Sequence, residues 1–139
     1  MATRCGSKLI AAAIGLALLA PAAHAEDRPW QVGVGTRTCG TFMNDLRESR
    51  RNKGSLEASF VNLELSWVQG WLSAENQEFK STVSKMPDKA KFGDKDLLIG
   101  LDVDAIEGWL ENYCRAHPLD HLFAAANALT GELVGRQFK

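Results

Sequence analysis

No stretch of this sequence is apolar for the ~20 residues that a membrane-spanning helix requires. The longest such run, Leu9 to Ala20, falls well short and is broken by Pro21. Neither sign of charge dominates, with 16 basic side chains against 17 acidic ones. That balance excludes the usual nucleic-acid binder, which carries a basic patch or a strongly basic total. A phosphate-cradling loop is missing too, because Gly33-Val-Gly35 is not followed by the helix glycine or lysine such loops need. Strand-like alternation, internal repeats and low-complexity tracts are all absent. What is present is 139 residues, 45% hydrophobic and 24% charged. That is one domain's worth of chain, too apolar to be wholly disordered.

The first 25 residues read as a secretory signal. Arg4 and Lys8 precede the short apolar run, and Ala23-His24-Ala25 supplies an A-x-A site with cleavage between Ala25 and Glu26. The domain is then 26–139. Losing Arg4 and Lys8 leaves 14 basic against 17 acidic residues, a net charge of about −3. The reading places the protein in the periplasm, with no stable membrane insertion after cleavage. Cys5 leaves with the signal, and Cys39 and Cys114 are left in an oxidising compartment, where such a pair forms a disulfide.

Residues 26–37 read as an extended lead-in, with Trp30 tucked against the core. Cys39, Phe42, Met43 and Leu46 then show helical spacing, and the polar segment from Arg47 to Gly54 reads as helix end and turn. Ser55 to Phe79 carries the strongest helical period. Phe60, Leu63, Trp67, Gly70, Trp71 and Ala74 define its core stripe, and Gly70 is read as the point where another helix comes close. Residues 80–101 form a long lysine-rich connection anchored at its far end by Leu97, Leu98 and Ile99. Asp104 to Glu107 has capping-box spacing and opens a helix with Ile106, Trp109, Leu110, Tyr113 and Cys114 inward. His117-Pro118 ends it and starts the last helix, with Pro118 in its first turn and counted among the core residues. That helix turns Leu122, Ala125, Ala126, Leu129 and Leu133 inward. The fold class is all-α: a small bundle of about four helices, with one disulfide tying the first to the third. Trp67 and Trp109 are predicted to form the contact between the second and third helices.

Two constellations invite a metal reading. Cys114, His117 and His121 stand at C-x2-H-x3-H spacing with Cys39 as a fourth ligand, in direct competition with the disulfide. The disulfide is the reading adopted. The acidic run Asp94, Asp96, Asp102, Asp104 and Glu107 does not hold the glycine and glutamate register of a calcium loop. Helix caps and solvated faces account for it better. No serine or cysteine nucleophile has a base in a recognisable motif. The chain reads as non-enzymatic, with no catalytic residue, no metal and no cofactor.

Thr38-Cys39-Gly40-Thr41-Phe42, Trp67-Val68-Gln69-Gly70-Trp71, Val103-Asp104 with Ile106-Glu107, and Cys114 with Pro118 together resemble the spaced pattern of the HdeA/HdeB family of small periplasmic acid-stress chaperones. They also resemble the related small immunity proteins that neutralise type VI secretion effectors. The resemblance implies a compact helical domain with one disulfide and a protein partner. That partner would be an unfolded client, a secreted effector or a second copy in a homodimer. Its physical basis for acid sensing is charge. With every carboxylate protonated and His117 and His121 charged, the mature chain reaches about +16, and self-repulsion opposes compact association. The long 80–101 connection departs from the compact chaperones.

Overall fold

The computed structural model describes residues 33–89 and 95–138. The predicted signal peptide, its Ala25–Glu26 junction and Trp30 lie outside these. The described chain is all-α: a short 3-10 turn, Gly33–Thr36, precedes α1 (Cys39–Arg51), α2 (Leu56–Ser84), α3 (Val103–Ala116) and α4 (Leu122–Gln137).

Each helix start has a physical cause. The Thr38 hydroxyl accepts from Thr41 N at the head of α1, and Ser55 does the same for Ala58 N in α2. At α3 the cap is Asp102, which accepts from Ala105 N, so Asp104 is a first-turn residue rather than the cap expected of it. Helix α1 ends at Arg51, inside the polar segment read as helix end and turn. Two boundaries differ from the sequence reading. Helix α2 continues past Phe79 to Ser84, with Phe79 packed against the core and Val83 buried. Pro118 lies in the connection before α4 and is exposed. Its carbonyl accepts from Gly40 N at 2.8 Å, and that of Asp120 accepts from Cys39 N at 2.7 Å. The 117–121 connection therefore satisfies backbone donors at the start of α1 that a helix leaves unpaired.

Antiparallel α1 and α3 are fixed at both ends. Cys39 and Cys114 form a disulfide at one end, with their Cα atoms 4.7 Å apart. At the other, Arg50 reaches Glu107 and Glu111. Closing a 75-residue separation is worth about 4.5 kcal/mol in the chain-entropy account. The core between the four helices holds Phe42, Leu46, Val68, Leu72, Leu110, Leu122 and Leu129, with Ala125 and Ala126 letting α4 come close.

The burial of α2 corrects the predicted stripe. Val61, Leu65, Val68, Leu72 and Val83 face inward, whereas Leu63 is 52% exposed and Gly70 and Ala74 lie at the surface. A Cβ on Gly70 would meet nothing within 4 Å, so no helix approaches there. The close glycine is Gly35, where a Cβ would lie 2.4 Å from Trp67 Cζ2. Trp67 thus packs on the 3-10 turn. Trp109 instead stacks on Tyr113, 5.3 Å between centroids, and donates its Nε1–H to Glu132 of α4. Both tryptophans are half-buried flanks of the core rather than its centre.

The far end of the connection after α2 is held by a buried amide. Asn76 Oδ1 accepts from Leu97 N at 2.9 Å, and its Nδ2 donates to Asp96, which also takes the Lys80 ammonium. Leu97 is buried and Leu98 half-buried, but Ile99 is 79% exposed. Only part of the predicted anchor is used.

Candidate functional site

The residues of the possible metal run are engaged elsewhere. Both sulfurs are spent in the Cys39–Cys114 bridge. His121 donates its Nδ1–H to the Thr36 carbonyl at 2.7 Å, in a short antiparallel bridge that joins Thr38 to His121. His117 lies against the Tyr113 ring and near Asp120. Among the described residues no three His, Cys, Asp or Glu side chains converge as a metal site. Of the acidic run, Asp96 holds Leu98 N and Lys80, Asp102 caps α3, and Glu107 meets Arg50. Asp94 lies outside the described residues.

Three arrangements remain that could do chemistry or bind a partner. The first is buried. Glu64 of α2 is fully enclosed, and Arg37 reaches it from the segment before α1, with Nε and Oε1 2.6 Å apart. The N–H axis does not point at the oxygen, so this is an ion pair rather than an aligned hydrogen bond, and Glu64 Oε2 has no hydrogen-bond donor among the described residues. The same guanidinium pairs with Asp45 of α1 and covers the Phe60 ring at 4.8 Å. Burial pushes the Glu64 carboxyl up to about 7; the Arg37 charge opposes the shift, and nearby Asp45 adds to it.

The second is the surface of α2. Leu56, Phe60, Leu63, Trp67, Trp71 and Ala74 recur at three- and four-residue steps, on the order of 130° round the helix from the buried stripe at about 100° per residue. Leu56 is 65% and Leu63 52% exposed. The indoles of Trp67 and Trp71 stack 6.1 Å apart, and Phe123 of α4 meets Trp71 edge-on. Trp71 Nε1 is buried and has no acceptor among the described residues. Helix α2 therefore carries a second apolar stripe, of which Trp67 and Trp71 are half-covered by the bundle while Leu56 and Leu63 stay open.

The third is a groove of about 390 Å³ between α1 and α3, lined by Met43, Leu46, Arg47, Arg50, Arg51, Glu111 and Arg115. Four of the chain's eight arginines meet there. Glu111 accepts from Arg50 on one oxygen and Arg115 on the other, both at 2.8 Å, and its carboxyl lies below the usual range because of those contacts. Arg47 donates to the neutral Asn44 Oδ1, and Arg51 lies 3.6 Å from Glu48.

Sequence reasoning missed Glu64 because it took the other apolar register of α2. The signal was available: Glu64 sits inside the Val61, Leu65, Val68 spacing, where a carboxylate is buried. The arginine groove was visible as Arg47, Arg50 and Arg51 at three- and four-residue steps on one helix face. Its partner from α3, Arg115, was not.

No family model, no curated protein and no solved structure matches the chain. Among the described residues no helix is long and apolar enough to cross a membrane.

Proposed function

We propose that this is an exported, non-enzymatic, HdeA-like periplasmic protein that holds other polypeptides on apolar surface, with acid-unfolded clients as its ligands. The observation that carries this reading is the second apolar stripe of α2. A helix of a small domain ordinarily shows one apolar face to the core and a polar face to water. Here Leu56 and Leu63 are open, and Trp67 and Trp71 are half-covered beside them. Large exposed apolar patches mark sites of protein interaction. The test is apolar-dye binding and protection of an acid-unfolded client from pH 7 to 2, with Leu63→Ser alongside the native protein. Client protection that Leu63→Ser weakens is expected, and an absence of dye or client binding at every pH would refute it.

A second reading, a module that occupies one specific partner such as a secreted effector, is favoured by one observation. The stripe is already open in the folded protein, so binding there needs no acid trigger. Binding of a folded partner at pH 7, lost in Leu63→Ser, with no protection of acid-unfolded clients, would establish that reading over the first.

A further inference from the structure

We propose that the α1–α3 groove is a separate docking site for an acidic, apolar-centred segment of another polypeptide. The chain as a whole is slightly acidic, yet this crevice gathers four arginines, so the local field runs against the total. Two of them are structurally committed: Arg50 and Arg115 clasp Glu111, one to each oxygen. The other two are not. Arg47 faces a neutral amide, and Arg51, 68% exposed, is only loosely near Glu48 at 3.6 Å. Guanidinium groups present planar forks that match carboxylates, and a partner's carboxylates gain two donors without breaking the clasp.

The floor decides the class of ligand. Half-buried Met43 forms the groove floor between the arginines, over the core residue Leu46, and a methionine surface adapts to varied apolar side chains. Nucleic acid or another uniform polyanion would find that apolar floor useless. A peptide with one apolar residue flanked by carboxylates satisfies floor and rim together, as an amphipathic helix does in a groove. This site lies on other helices from the apolar stripe of α2, so the two proposals stand or fall separately.

The test titrates the full-length chain, disulfide intact, against a fluorescent helical peptide of alternating Leu and Glu turns, its Gln counterpart, inorganic polyphosphate and single-stranded DNA. The Glu peptide is expected to bind at least tenfold more tightly than the Gln peptide. Arg47→Glu with Arg51→Glu should weaken it at least tenfold and Met43→Ala several-fold. Exchanging the peptide's Glu for Lys should restore binding to the charge-reversed variant, which also shows that the variant is folded. Equal binding of the Gln peptide, no effect of the charge reversal, or binding of polyphosphate or DNA as tight as that of the Glu peptide and indifferent to Met43→Ala would each overturn the proposal.

Discussion

Replacing Glu64 with Gln should make the protein more stable at pH 8 and leave it nearly unchanged at pH 4.5. The carboxyl is fully enclosed, and burial raises its ionisation from 4.5 to about 7 against the pull of Arg37. Below pH 4.5 both folded and unfolded chains hold the proton, so the group contributes no pH dependence. Between 4.5 and 7 the unfolded chain releases a proton that the folded chain retains. Stability therefore falls as the pH rises through this window and stays lower above it. At about 1.4 kcal/mol per pH unit, the gap amounts to about 3 kcal/mol. Glutamine keeps the shape, turns its carbonyl to Arg37 and carries no charge, and Arg37 keeps Asp45. Urea denaturation at pH 4.5, 6, 7 and 8, followed by tryptophan fluorescence with the disulfide intact, measures the difference. Native and variant curves should coincide within ~1 kcal/mol at pH 4.5 and separate by at least ~2 kcal/mol at pH 8. Parallel curves would refute the reasoning, and a native protein more stable at pH 8 would mean that the Arg37 pair outweighs desolvation.

The acid limb has the opposite sign. Hydrogen bonds from Arg50 to Glu111 and from Lys80 to Asp96 hold both carboxyls below their usual values of 4.5 and 3.8. Their contribution is complete above those values and is lost as pH falls through the lowered ones. Stability should peak between about pH 4 and 5, and Glu111→Gln should blunt the fall below that peak in the same urea series. Gly35→Ala should destabilise by ~1–3 kcal/mol as the new methyl displaces the Trp67 ring, with a shift in tryptophan emission. Asn76→Ala strips the buried Leu97 N–H of its acceptor and should cost ~1–3 kcal/mol, with faster proteolysis between α2 and α3. Reducing Cys39–Cys114 should cost ~4–5 kcal/mol, the chain entropy its loop restrains, and thermal melting with and without reductant reads it directly.

Much of the bundle was legible because its signals are local. Cys39, Phe42 and Leu46 fall on one helical face of α1, and Leu122, Ala125, Ala126, Leu129 and Leu133 show a single unambiguous apolar face in α4. Helix α2 was misread because it carries two apolar stripes, and periodicity alone cannot say which one the other helices cover. Large rings drew the reading to Trp67 and Trp71, whereas the core took the smaller Val61, Leu65, Val68 and Leu72. The Asp102 cap was passed over because Asp104 and Glu107 offered a neater spacing, whereas the helix begins at Val103 and Asp102 accepts from Ala105 N. The groove depends on α1 lying beside α3, a long-range relation that no short motif encodes. Arg37 with Glu64 is likewise a meeting of distant segments.

The position of the bridge also determines how the molecule responds to being pulled. Cys39 and Cys114 enclose α1, α2 and most of α3 in a covalent ring, and α4 hangs outside it. A motor that grips the chain beyond α4 can peel that helix away, drawing Leu122, Ala126 and Leu129 out of the core. It then meets a closed loop. Tension passes across the 4.7 Å between the two Cα atoms and leaves the 75-residue span slack, where an unbridged span would extend by ~3.3–3.6 Å per residue. Any machine that threads this protein must reduce the bridge first or pass more than one strand through its pore at once.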